Sequence, residues 1–206
     1  MIAIIDYDAG NIKSVAKAFA ALSTEAVVTR EAETILQADK VVLPGVGSFG
    51  DAMEKLHRYN LVSVIRQTIE KGTPFLGICL GLQLLFESSE ESPGISGLGI
   101  LEGKILRIPE RDGLKVPHIG WNSLRFPNRG RLFCGIPEES YVYFVHSYYL
   151  EAKNPKLVTA VSEYGVQIHA SIESGNVFAC QFHPEKSSDT GLSILRNFVS
   201  LKREEA

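Results

Sequence analysis

The sequence holds only three cysteines, Cys79, Cys134 and Cys180, in 206 residues. An odd number so widely spaced makes no disulfide framework, and a reducing compartment, the cytoplasm, is the simpler expectation. No apolar run approaches the roughly 20 residues of a membrane-spanning helix. The start, Met1-Ile2-Ala3-Ile4-Ile5-Asp6, has no basic n-region, and its apolar run is too short for a signal peptide. Excess positive charge is lacking too. With 21 Lys+Arg against 24 Asp+Glu the formal charge is −3, which gives no electrostatic reason to expect nucleic acid or an anionic membrane as partner. No C-x-x-C or H-x-x-x-H spacing occurs, so no metal is expected. Internal repeats, low-complexity segments and linker-like breaks are also missing, so residues 1–206 are expected to form one domain.

What is present reads as an α/β protein. Hydrophobic content of 45% and charged content of 22% are ordinary for a globular chain. Ile2 to Ile5 is a short apolar run that ends at Asp6 and suits a buried parallel strand. Ile12, Val15, Ala16, Phe19 and Ala20 then recur at helical spacing. Ala26–Thr29 and Val41–Leu43 read as further strands, with a short helix over 31–38 between them. This alternation predicts an open, mostly parallel, doubly wound sheet with helices on both faces. Helices are expected over 51–59 and 61–71, the second closed by Gly72, and 87–97 reads as a polar connector.

The second half is richer in Val, Ile, Tyr and Phe. It predicts strands over 100–108, 141–150, 157–162, 166–172 and 177–182, with a hairpin turn at Glu173-Ser174-Gly175-Asn176. An additional antiparallel layer or edge is therefore expected. A last helix is predicted from about Ser188 to Leu201.

Two stretches carry chemistry. In Thr73 to Phe86 a short apolar run ends in Gly77-Ile78-Cys79-Leu80-Gly81, and a helical pattern follows. The G-x-C-x-G spacing matches a nucleophile elbow with sulfur in place of oxygen. A nucleophile on a sharp strand-to-helix turn needs a strained backbone and neighbours without side chains. The helix N-terminus beyond it favours thiolate. The alternative is a buried structural cysteine between packing glycines. The other stretch is His183-Pro184-Glu185, at the close of the last strand. A cysteine nucleophile needs a base to take its proton, and that base is best oriented by a carboxylate. His57, His118, His146 and His169 have no such companion in sequence. Ahead of both lies Pro44-Gly45-Val46-Gly47-Ser48-Phe49-Gly50, a loop at the carboxyl end of a strand. It can aim amides at an oxyanion or turn tightly into a helix. It lacks the Lys-Ser/Thr of a phosphate-binding loop.

The order and spacing of Pro44-Gly45-Val46-Gly47, Gly77-Ile78-Cys79-Leu80-Gly81 and His183-Pro184-Glu185 resemble the class I, triad-type glutamine amidotransferases over almost the whole chain. Within that family, five further stretches are similar to the glutaminase subunits of imidazole glycerol phosphate synthases. They are Asp6-Tyr7 with Gly10-Asn11, the Pro44 to Phe49 loop, Pro117 to Asn122, His146-Ser147-Tyr148-Tyr149 and Glu185-Lys186-Ser187-Ser188. Asp8 departs from the pattern, which has glycine there. The resemblance implies that Cys79, His183 and Glu185 are catalytic and that Leu80 and Gly45-Val46-Gly47 supply the oxyanion hole. It implies that Gln83, Ser147, Tyr148 and Glu91 contact L-glutamine. It places Asn11, Ser14, Trp121 and Lys186 at the interface with a (β/α)8-barrel cyclase subunit that receives the ammonia in a heterodimer. No cofactor is implied. Two other readings remain open in sequence: the glutaminase of another synthase, for anthranilate or pyridoxal phosphate, and a non-catalytic interaction subunit.

Overall fold

A computed structural model describes residues 1–202. The strands, in chain order, are β1 (Ile2–Ile5), β2 (Ala26–Thr29), β3 (Lys40–Gly45), β4 (Phe75–Cys79), β5 (Ser88–Ser89) and β6 (Gly103–Arg107). They continue with β7 (His118–Ser123), β8 (Tyr141–His146), β9 (Tyr148–Ala152), β10 (Val158–Tyr164), β11 (Val166–Ser174) and β12 (Val177–Cys180). The α-helices are α1 (Ile12–Ala21), α2 (Ala32–Gln37), α3 (Phe49–Arg58), α4 (Leu61–Glu70), α5 (Leu80–Leu84) and α6 (Ser188–Ser200).

The main sheet has seven strands in the order β10-β11-β12-β4-β3-β1-β2. The five strands from β12 to β2 run parallel, and β10 and β11 form an antiparallel edge. Two small antiparallel-containing sheets, β5-β6-β9 and β7-β8, complete the fold. The expected doubly wound sheet and its antiparallel addition are both present.

Side-chain alternation explains why both faces are covered. Along β1, Ala3 and Ile5 enter one core while Ile2 and Ile4 enter the other. In β3 and β4, Val41, Leu43 and Phe75 join the first core, and Val42, Leu76 and Ile78 the second. The first core is closed by α2, α3 and α4 through residues such as Ile35, Met53, Leu56 and Ile65. The second is closed by α1 and α6 through Val15, Phe19, Ile194, Leu195 and Phe198. A strand with apolar residues on both faces must be sandwiched between helices, which is why the short continuous runs marked parallel strands.

Several predicted elements change. The run 141–150 breaks into two strands at Ser147. Its first half, β8, pairs with β7, and its second half, β9, pairs with β6. The strand predicted over 100–108 begins only at Gly103, because Ile100 and Leu101 bond back to the Leu85 carbonyl. Strand β7 was missed as a strand, since Gly120 and Asn122 interrupt its β pattern. The last strand ends at Cys180, three residues before His183. The helix after Cys79 is a five-residue piece, so the dipole behind the sulfur is smaller than the sequence pattern suggests.

Candidate active site

The elbow is formed by close approach. Cys79 ends β4 with φ 55 and ψ −107, a region that L residues rarely occupy. A Cβ on Gly81 would lie 1.9 Å from the Leu43 carbonyl oxygen, and one on Gly77 would lie 2.7 Å from the Gly81 oxygen. Strand β3 and α5 therefore pack against the turn with no room for side chains at either position. Gly45, in register with Cys79 at the end of β3, is enclosed in the same way by the Tyr7 hydroxyl and Leu80. Tyr7 donates to the Pro44 carbonyl at 2.9 Å, which fixes the strand end.

A cavity of about 300 Å³ opens over the elbow, lined by Cys79, Leu80, His183, Val46 and Gly47 on one side. Gln83, Glu91, Pro117 and the run Val145 to Tyr148 form the remaining wall. Cys79 itself is 7% exposed. Behind the cavity, His183 Nδ1 and Glu185 Oε1 are 2.7 Å apart, and both side chains are buried. Burial by itself lowers the His183 pKa, but the Cys79 sulfur and the Glu185 carboxylate outweigh it and push it up to about 10. The remaining ring nitrogen, Nε2, is buried and makes no hydrogen bond within the described residues. This set can generate a sulfur nucleophile, hold an imidazolium beside it, and return the proton through Nε2 to a leaving group.

The family model for "Glutamine amidotransferase class-I" matches residues 3–201. The chain belongs to this family. An "Imidazole glycerol phosphate synthase subunit HisH" of Moorella thermoacetica is 52% identical, over 98% of this chain and 95% of its own length. The protein of the same description from Methanothermobacter thermautotrophicus is 51% identical, over 98% and 100%. A solved glutamine amidotransferase structure, 19% identical, superposes with a TM-score of 0.75 over 97% of this chain and 100% of that chain, a likeness of fold.

Against this amidotransferase frame, the residues expected at the glutamine pocket differ in what they have free. Gln83 is not an exposed helix residue. It is buried, and its Nε2 donates to the Tyr148 carbonyl at 3.1 Å and to Gln181 Oε1 at 3.0 Å. Only its carbonyl oxygen is left to face a ligand. Glu91 lines the cavity but accepts from the Phe49 amide at 2.7 Å, at the start of α3. Ser147 and Tyr148 line the wall where β8 passes into β9.

The residues expected at a partner surface gather around the His183–Ser187 loop. Trp121 is 51% exposed, not a core anchor, and packs edge-on against Tyr143. The Tyr143 backbone is bonded to the Ser187 hydroxyl and the His183 amide, which ties the β7-β8 ribbon to the His183 loop. Lys186 is exposed on that loop. Ser14 borders a shallow cavity with Glu185 and Ser188. Asn11 turns inward, and its side-chain amide donates to Glu185 Oε1.

Asp8 is accounted for by its backbone. Its φ is 62, the left-handed region in which glycine is the default and aspartate is tolerated. Its carboxylate pairs with Arg30 at 2.7 Å and accepts from the Tyr59 hydroxyl, so the substitution exchanges freedom for a clasp.

Sequence reasoning gave no role to Gln181 or His146. Gln181 Nε2 lies 3.7 Å from Cys79 Sγ. His146 lines the cavity and meets His118 Nδ1 at 3.0 Å through its Nε2. These two histidines do have companions, each other, brought together by the β7-β8 pairing of position 118 with 146. The signal for Gln181 was its place two residues before His183. Among the described residues no cluster of His, Cys, Asp and Glu is arranged to hold a metal, and no helix is long and apolar enough to cross a membrane.

Proposed function

We infer that the chain is the glutaminase subunit of an imidazole glycerol phosphate synthase. Cys79 Sγ attacks the side-chain amide carbon of L-glutamine. The C–N bond breaks as His183 gives its proton to the departing ammonia, which leaves a γ-glutamyl thioester. His183 then takes a proton from water, the hydroxide attacks the thioester, and glutamate leaves as the proton returns to sulfur. Glu185 holds the imidazole through Nδ1. The amides of Leu80 and of the Gly45-Val46-Gly47 stretch receive the oxyanion, and losing one such donor typically costs ~2.7–4 kcal/mol in the transition state. Gln83, Glu91, Ser147 and Tyr148 hold the substrate.

The observation that carries the chemistry is the strained Cys79 at the mouth of a cavity with the buried His183–Glu185 pair behind it. The relatives at 52% and 51% identity support the pathway, histidine biosynthesis. The partner is a (β/α)8-barrel cyclase, docked on the face that carries Trp121, Ser14 and Lys186, and it consumes the ammonia in a cytoplasmic heterodimer. Gly47, at φ 102, has no side chain to restrict its backbone, so partner binding can set which amide of the loop faces the cavity.

Ammonia release from glutamine tests this directly. The chain is assayed alone, with the cyclase barrel, and with the barrel plus an analogue of its nucleotide substrate. Strong stimulation only in the last mixture is expected. Full activity in the isolated chain would refute the gating, and no activity in any mixture would refute the assignment.

A further inference from the structure

An unbroken run of hydrogen bonds crosses the molecule from the exposed β7 ribbon to the Cys79 sulfur. At the outer end Asn122 Nδ2 lies 3.5 Å from His118 Nε2. His118 Nδ1 meets His146 Nε2 at 3.0 Å, and His146 Nδ1 meets the Tyr148 carbonyl at 2.9 Å. The same carbonyl accepts from Gln83 Nε2 at 3.1 Å, Gln83 donates to Gln181 Oε1 at 3.0 Å, and Gln181 Nε2 points at Cys79 Sγ at 3.7 Å.

The direction of every bond in this run is determined. A carbonyl only accepts, so His146 carries its proton on Nδ1 and leaves Nε2 as acceptor. His118 must then carry its proton on Nδ1 and accept at Nε2, where the Asn122 amide stands. On the inner side, turning Gln83 over would set its oxygen against the Tyr148 oxygen. Turning Gln181 over would set N–H against N–H. Gln181 therefore presents N–H, not C=O, to the sulfur. It is 0% exposed, so water does not compete for that position. An N–H donor is worth more to an anionic sulfur than to a neutral thiol.

We propose that Gln181 is a further catalytic residue, whose amide N–H holds the Cys79 thiolate in a direction set by Gln83 and the Tyr148 carbonyl, and that His118, through His146, is the positioning residue that holds that carbonyl in place. This rests on Cys79 being the nucleophile of the reading above. It adds a donor to the sulfur that is separate from the oxyanion hole, and it gives the ribbon that carries Trp121 a polar route to the nucleophile.

The ring of His118 has a second role that must be separated from the first. It stacks between Phe144 and Tyr164 at centroid distances of 4.8 and 3.8 Å. His118→Phe keeps the stack and loses the donor. His118→Asn keeps a donor at the position of Nδ1 and loses the stack.

The experiment measures the alkylation rate of Cys79 by iodoacetamide in the full chain at neutral pH, followed on the Cys79 peptide by mass spectrometry so that exposed Cys134 does not interfere. Melting temperatures are measured alongside. Gln181→Met, neutral and close in size, is expected to slow alkylation by about tenfold or more, the usual worth of a hydrogen bond to a charged group. His118→Phe is expected to slow it several-fold with a melting temperature near that of the parent. His118→Asn is expected to recover most of that rate while melting lower. Wild-type alkylation by Gln181→Met, or a rate in the His118 pair that follows melting temperature instead of the donor, overturns the proposal. A parent chain that no glutamine-like chloroketone labels at Cys79 would instead overturn the glutaminase reading beneath it.

Discussion

Mild acid should loosen this protein through His118 and His146. Both rings are buried, at 3% and 6% exposure. Burial pushes His118 from its ordinary value of 6.5 down to about 4. Burial, with the neighbouring His118 and His183, takes His146 down to about 3, although its bond to the Tyr148 carbonyl works the other way. Between the folded values and 6.5 the unfolded chain binds more protons than the folded one, so stability falls as pH falls through that window. Each ring contributes a loss of roughly 2 kcal/mol at about pH 5, or roughly 4 kcal/mol together. His183 does not mask this. Its folded value is raised, so its contribution is complete below 6.5 and is lost only as pH rises toward about 10. Ordinary carboxylates titrate mostly below about pH 4.5. Burial also lowers His169, which adds to the acid loss in parent and variant alike. Urea unfolding at about pH 7 and about pH 5 reads the difference, and His118→Phe should lose about 2 kcal/mol less than the parent. A flat stability over that range, or an equal loss in parent and variant, would refute the assignment of two neutral, buried imidazoles.

Other consequences are as specific. Gly81→Ala places a methyl group 1.9 Å from the Leu43 oxygen, so it should cost more than about 3 kcal/mol and be visible as a collapsed thermal transition. Gly135→Ala, at φ 74 with open space around it, should cost only about 1 kcal/mol. Cys79→Ala and Cys79→Gly should both lose glutamine hydrolysis, and the glycine variant should melt higher, because it relieves the φ 55 strain of about 1–3 kcal/mol. Glu185→Gln removes the carboxylate 2.7 Å from His183 Nδ1. A proton titration of that ring by NMR should then fall below about 10, with a loss of stability that is largest below about pH 6.5 and shrinks as pH rises toward about 10.

Much of this was legible in order along the chain. Local chemistry is written locally. An apolar run that stops at Asp6 or at Pro44-Gly45 marks a buried strand and its carboxyl end. Glycines two residues either side of Cys79 mark a turn that admits no side chains. A histidine, a proline and a glutamate in succession place an imidazole and a carboxylate within reach of each other. Two of the proposed catalytic side chains lie two residues apart in sequence and the third sits on a motif with its own geometry, so Cys79, His183 and Glu185 could be proposed before the fold was known.

What the sequence left open depends on pairing at long range. Whether 141–150 is one strand or two depends on which partners stand opposite each half, and those partners, β7 and β6, are remote in sequence. The His118–His146 contact exists only because antiparallel register sets those positions opposite each other. The burial of Gln83 was open in sequence, because helical spacing shows which residues share a face but not what packs on that face. Parallel pairing of β12 with β4 places Gln181 beside both Gln83 and Cys79. The directions of the hydrogen bonds are likewise a tertiary fact. An amide or an imidazole can donate or accept, and only the full set of neighbours decides which it does.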